Sequence, residues 1–337
     1  MIRVALDAMG GDSAPRNEIA GAVEALTDLP DGFLIQLVGR PNAIEEELAR
    51  HPGVNRSRIE IHEAADVIGM SEKPLQAIRK KPKSSMVVGL ALHRDGHCDA
   101  FISAGNTGAM LAGSTMLLGL HDGVERATVA TLFPTGSEPV LVLDGGANLD
   151  CTARELLGFA YLGTIYMRDG MGRPKPVVGL LNVGEEEEKG TTVVREAHQL
   201  LKRAPRLNYA GNIEGRDILP GPQQRIPVDV VVCDGFVGNI VLKFYESSAR
   251  VFVGLLTARI PDVFSRPEMA DLNRILDYST YGGAPLLGVK GVPIVCHGAS
   301  SVNAIKNAVR VALQAARSGL SEHIGAEFAL RPTVAQA

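Results

Sequence analysis

Short apolar runs alternate with amphipathic stretches from one end of the chain to the other. Runs rich in β-branched residues lie at 2–8, 33–39, 99–105, 127–133, 139–146, 176–184, 207–213, 228–236 and 292–298. Each has the length of a strand. Between them, apolar positions recur at helical spacing: Val193, Val194, Ala197, Leu200 and Leu201 form one stripe of a helix predicted over 191–203, with a threonine as N-cap. Ser300 or Ser301 can cap another, running to about Arg317. Strands alternating with helices predict βαβ units, hence an α/β fold with a mostly parallel sheet and helices on both faces. A length of 337 residues exceeds the usual size of one core and predicts two lobes within one catalytic domain, 1–337.

The stretch from Ala100 to Leu120 carries no charge and is long enough to span a bilayer. Ser103, Asn106, Thr107 and two glycines interrupt it, so it reads as a buried strand, a polar loop and a buried helix. The start, MIRVALDAMG, lacks the apolar core and cleavage site of a signal peptide, which points to a cytoplasmic protein. A net charge of −4 and the absence of Trp speak against a nucleic-acid partner, which needs a basic surface and stacking platforms. The four cysteines are widely spaced with no CxxC pair, so no disulfide framework, no metal site and no cofactor is expected.

In open α/β sheets, ligands bind at the carboxyl ends of the strands. The loops that follow the strands here read DAMGGDSAP (7–15), SAGNTGA (103–109), LDGGANLD (143–150), NVGEEEEKGT (182–191), GNIEGRD (211–217), CDGFVGN (233–239) and CHGASS (296–301). Glycine beside Asp, Asn, Ser or His recurs in them, and backbone N–H groups at a helix start can hold an anion. Asp7, Gly10, Gly11, Ser103, Asn106, Thr107, Asp144, Asn148, Asn212, Glu214, Arg216, Asp234 and His297 are the candidate contacts for substrate. Each loop also has a plain structural account. Asp12 or Ser13 ahead of Pro15 is an ordinary helix cap, Asp144 or Asn148 an ordinary turn residue, and His297 stands alone rather than as a general base.

The chain contains no GxGxxG after its first strand, no GxxxxGK[ST], no GxSxG and no HExxH. Dinucleotide, P-loop, hydrolase-elbow and zincin chemistry therefore lack their usual signatures. What stands out is Lys189, which ends a run of four glutamates just before a helix. It is either the counter-charge of a solvated loop or a cation placed for a phosphate. Lysine with asparagine amides, among them Asn239, suits phosphate binding and oxyanion stabilisation, so a bound anion could attack an acyl carbonyl with no protein nucleophile.

DAMGGD (7–12), SEKPLQAIRKKPKSSM (71–86), ISAGNTGA (102–109), LDGGAN (143–148), LLNVGEEEEKG (180–190), GNIEGRD (211–217), DGFVGN (234–239), YGGAPLLGVKG (281–291) and HGAS (297–300) together resemble the bacterial phosphate acyltransferase (PlsX) family over nearly the whole chain. The resemblance implies transfer of a long-chain acyl group from acyl-acyl carrier protein to inorganic phosphate for glycerophospholipid synthesis. It also implies a fold like the isocitrate/isopropylmalate dehydrogenases and phosphate acetyltransferases. A homodimer, peripheral contact with the cytoplasmic membrane and a downstream glycerol-3-phosphate acyltransferase as partner come with it. The family's catalytic lysine falls on Lys189 and its catalytic asparagine on Asn239. Alternatives are an enzyme acting on short acyl-CoA and a non-catalytic scaffold for carrier protein at the membrane.

Two features depart from the family pattern. Gly145 stands where the family has valine, which is expected to loosen a strand end. The segment 250–278, which in the family forms a helical hairpin for dimer or membrane contact, is shorter here. Its Val251, Phe252, Leu255 and Leu256, followed by Pro261, Val263 and Phe264, read as an apolar tip between Arg259 and Arg266 or as a packed helix pair. A basic cluster, Lys73, Arg79, Lys80, Lys81 and Lys83, is a candidate dock for an acidic carrier protein or simply a solvated helix end.

Overall fold

The computed structural model of the protein describes residues 1–135, 138–219, 227–266, 269 and 281–330. The chain divides into two compact units, one of residues 1–127 with 281–337, the other of residues 128–280.

The first unit is built from β1 (Ile2–Asp7), α1 (Arg16–Asp28), β2 (Phe33–Gly39), α2 (Pro41–Leu48), β3 (Ile59–Glu63), α3 (Pro74–Lys80), α4 (Ser85–Arg94), β4 (Ala100–Ser103) and α5 (Thr107–Leu117). The chain returns to it with β11 (Ala284–Leu287), β12 (Pro293–Val295), α9 (Val302–Arg317) and α10 (Leu320–Ala329). Its strands lie in the order β3-β2-β1-β4-β12-β11, parallel except for β11 against β12. Side chains alternate between the faces of a strand, yet every residue of β4 and nearly every one of β2 is buried, so both faces are covered. The charge-free stretch after residue 100 is β4, a loop and α5, as expected. Among the described residues no helix is long and apolar enough to cross a membrane.

The second unit opens with β5 (Thr128–Val129) and continues through β6 (Thr131–Phe133), β7 (Val140–Leu143), α6 (Ala153–Ile165), β8 (Val177–Leu181), α7 (Thr192–Arg203), β9 (Asn208–Ile213), β10 (Val230–Val232) and α8 (Gly235–Arg259). Its strand order is β6-β7-β10-β8-β9, parallel except for β6 against β7. On one face Phe133, Val140, Val142, Ile213, Val228 and Val231 form a core that Val241, Leu242 and Tyr245 of α8 cover. On the other, Gly163 of α6 sits so close to Leu143 and Val230 that a Cβ there would lie 2.6 Å from Val230.

The mostly parallel α/β architecture expected from the sequence is built as two sheets, each with an antiparallel strand. Two finer expectations are corrected. The helix after the first strand starts at Arg16 with Pro15 as its N-cap residue and no side-chain cap, so neither Asp12 nor Ser13 caps it. Val263 is buried and Phe264 half-buried within a 3-10 turn, Val263–Ser265, which removes both from an exposed tip. Of the segment 250–278, residues 267–268 and 270–278 lie outside the described residues.

Candidate active site

The loop after β7 is organised around one buried carboxylate. Asp144 Oδ1 accepts hydrogen bonds from the amides of Val129 (3.0 Å), Ala147 (3.2 Å) and Gly146 (3.3 Å). Its Oδ2 accepts from the Asn148 amide (2.6 Å) and side-chain Nδ2 (2.9 Å). The nest of N–H groups that an anion could fill is thus occupied by the protein's own carboxylate, and Asp144 and Asn148 act on the loop's shape. Gly145 does not loosen the strand end: its amide donates to Val129 O (2.9 Å), and Thr131 packs where a side chain at 145 would go.

Helix α8 is pressed onto this loop by its glycines. The Gly235 amide donates to Asn148 O (2.7 Å), and a Cβ at Gly235 would lie 2.6 Å from that oxygen. At Gly238 a Cβ would overlap the carbonyl of Asp144. Asp234 is the N-cap, its Oδ1 accepting from Val237 N (2.8 Å). This close approach sets Asn239 against Gly146, whose φ of +127° requires glycine and where a Cβ would lie 3.0 Å from the asparagine Cβ. Asn239 is exposed, and its amide has no hydrogen-bond partner among the described residues.

The acidic run finds its partners elsewhere than at Lys189. Glu187 bonds Lys202 (2.6 Å) and lies 3.6 Å from His198, and Glu185 faces Arg216 (3.7 Å). Lys189 is exposed and makes no ion pair among the described residues. Its backbone is held firmly: Asn182 Nδ2 donates to Lys189 O (3.2 Å), and Gly190 follows with φ +89°. Thr191 caps α7, accepting from Val194 N (3.3 Å). The lysine therefore sits two residues before the positive end of a capped helix, where an anion is favoured.

Asn212 is buried and donates to Glu186 O (3.0 Å), so it anchors the glutamate loop from β9. Glu214 takes part in a capping turn with Asp217 and accepts from Arg216 (3.2 Å). One residue the sequence reading passed over is Arg195, which donates to Gly190 O (2.7 Å) and Thr192 Oγ1 (3.3 Å) and so ties the lysine loop to α7. Its position one turn after the cap was the only available signal.

In the first unit, Asp7 is buried and accepts from Ser103 Oγ (2.7 Å) and Met9 N (3.0 Å); burial pushes its carboxyl up. Ser103 Oγ also accepts from Gly105 N (3.1 Å), and Gly10 packs on Asp7 and the Gly105 amide. Gly11 packs on Glu18. Asn106 caps α5 through Ala109 N (3.0 Å) and donates to Met70 O (2.9 Å) and Glu72 O (3.2 Å), so its amide is fully engaged. Thr107 and His297 are exposed, with His297 Nδ1 accepting from Ala299 N (3.1 Å). Lys81 leaves the basic cluster by pairing with Glu72 (2.6 Å), while Lys73, Arg79, Lys80 and Lys83 stay exposed. Among the described residues no three His, Cys, Asp or Glu side chains converge as metal ligands would.

Comparison with known proteins gives this geometry a family. A family model described as "Fatty acid synthesis protein" matches residues 2–323. The phosphate acyltransferase of Heliobacterium modesticaldum is 45% identical over 335 residues, covering 96% of this chain and 98% of that protein. That of Nostoc punctiforme is 41% identical over 339 residues, covering 98% and 97%. Among solved structures, a phosphotransacetylase from Streptococcus pyogenes superposes with a TM-score of 0.62 at 16% identity, covering 94% of each chain. The 4-hydroxythreonine-4-phosphate dehydrogenase of Klebsiella pneumoniae does so at 0.53 and 14%, covering 94% of this chain and 99% of that one. At such identities these likenesses speak for the fold, which is the dehydrogenase and phosphotransacylase fold expected. With the family model spanning nearly its full length and relatives above 40% identity along nearly all of theirs, the chain belongs to the fatty acid synthesis protein family that includes the phosphate acyltransferases.

Proposed function

We propose that the chain is an acyltransferase that moves a long-chain acyl group from acyl-acyl carrier protein to inorganic phosphate. The names of its relatives support acyl transfer to phosphate, and the family description supports a place in lipid synthesis. The observation that carries the reading is Lys189, a cation ahead of a helix N-terminus that makes no ion pair among the described residues, while Glu187 and Glu185 of the same loop pair with Lys202 and Arg216.

In this reading the Lys189 ammonium holds the phosphate dianion beside the thioester. A phosphate oxygen attacks the carbonyl carbon, forming a C–O bond and a tetrahedral oxyanion to which Asn239 Nδ2 donates. Collapse breaks the C–S bond, and the carrier's thiolate leaves and takes up a proton from solvent. The product is an acyl phosphate, a mixed anhydride suited to direct use by a glycerol-3-phosphate acyltransferase. No cysteine need intervene: burial pushes the Cys151 thiol up to about 12 and the Cys233 thiol well above its usual range, so neither supplies a thiolate near neutrality.

The working form is proposed to be a cytoplasmic homodimer in peripheral contact with the membrane. The exposed apolar residues of α8 support the dimer, and the exposed basic residues of the 73–83 cluster support docking of an acidic carrier.

The test is release of carrier thiol from palmitoyl-acyl carrier protein, with and without phosphate. Lys189→Ala and Asn239→Ala should each lower phosphate-dependent turnover about 10²–10³-fold, the usual effect of removing one such charge or donor. Near-normal turnover in a folded Lys189→Ala protein would overturn the assignment. Palmitoyl-CoA and acetyl-CoA as alternative donors separate this reading from a short-acyl-CoA enzyme.

A further inference from the structure

The carboxyl edge of the second unit's sheet holds a cavity of about 390 Å³, within the range of small-molecule sites. Its walls come from the end of β8 (Leu180, Leu181), the starts of α7 (Val194) and α8 (Val237), and Leu156 of α6. We propose that this cavity receives the hydrocarbon chain of the acyl donor, and that Val194 and Val237 set the chain length it accepts. The proposal rests on the acyl-transfer reading above.

Three observations carry it. Two of the polar lining side chains are engaged as helix caps, Thr191 Oγ1 on α7 and Asp234 Oδ1 on α8, and Asp150 is exposed to solvent. The other polar lining groups, Cys151 and Cys233, stay uncharged at neutral pH. A hydrophilic ligand would therefore find few partners inside, whereas a methylene chain needs none. Second, the same two helix starts that form the walls carry the chemistry: Val237 precedes Asn239 by two residues, and Thr191 follows Lys189 by two. A chain seated here is attached to a carbonyl that the Lys189 and Asn239 segments flank. Third, at about 390 Å³ the cavity has room for a chain of many carbons. An acetyl group would leave most of it unfilled.

Val194 is half-buried and Val237 exposed, so larger side chains at these positions intrude on the cavity without entering the sheet core. Each methylene denied burial should cost about fourfold in kcat/KM. The experiment measures phosphate-dependent thiol release from acyl carrier proteins bearing 4, 8, 12 and 16 carbons, for the wild type, Val194→Phe/Val237→Phe and Val237→Ala. Thermal unfolding checks that each variant folds. The phenylalanine pair should lower the ratio of kcat/KM for the 16-carbon to the 4-carbon donor at least tenfold, and the alanine variant should raise it. Ratios within twofold of wild type in both folded variants, with the wild type active, would overturn the subsite and leave the reaction standing. No phosphate-dependent release by the wild type from any donor would overturn the reaction, and the subsite with it.

Discussion

Glu18 is 1% exposed, packed under the Gly10–Gly11 turn, and its Oε2 has no hydrogen-bond partner. Burial, with the charges of Asp7 and Asp12 added, raises its carboxyl to about 7. The folded protein thus holds a proton that the unfolded chain releases near 4.5. The stabilisation this neutral carboxyl provides is complete below 4.5 and lost as pH rises through 7, which amounts to roughly 3 kcal/mol at pH 8. Glu18→Gln cannot ionise. Its stability in urea should match wild type near pH 4.5 and exceed it by up to about 3 kcal/mol at pH 8. A difference that does not grow between those two pH values would show that the carboxyl titrates normally. Lys189 differs at the same scale: its proposed role rests on which neighbours pair with one another, and only the fold reveals that Glu187 reaches Lys202.

At the scale of elements, the site depends on how closely α8 can approach residues 144–148. Gly238 lies against the Asp144 carbonyl with no room for a methyl group. Gly238→Ala must move the first turn of α8 outward, which should cost about 1–3 kcal/mol in unfolding free energy. The same shift carries Asn239 away from Gly146, so turnover should fall more than tenfold even well below the unfolding midpoint. Unchanged kcat in a destabilised Gly238→Ala protein would separate the packing of α8 from the chemistry. Most elements were legible beforehand, because strands such as Phe33–Gly39 and helices such as Thr192–Arg203 carry strong period and cap signals. β3 and β11 were not: IEIHE mixes charge into its alternation, and APLL is a four-residue run opening with proline's neighbour. Nor could the chain show that Asp144 fills its own nest or that Asn106 is engaged by residues 70 and 72, since both depend on loops folding back.

For the whole molecule, the outer face of α8 has no partner among the described residues. Phe236, Ile240 and Phe244 follow one another at four-residue steps, and Val251, Phe252 and Leu255 continue the stripe, with Phe244 74% exposed. Large aromatic side chains ordered along one long helix face are costly in water and suit a two-fold contact, in which the same stripe meets itself. The proposed dimer should sediment at twice the mass of one chain. Phe244→Glu with Phe252→Glu places two charges in the middle of the stripe and leaves the sheet core untouched, so this variant should sediment as a monomer with an unaltered circular dichroism spectrum. A variant that remains dimeric would move the interface off α8. A wild type that is monomeric in solution yet pelleted by anionic vesicles, with binding lost in the variant, would assign the stripe to the membrane and leave the dimer without support.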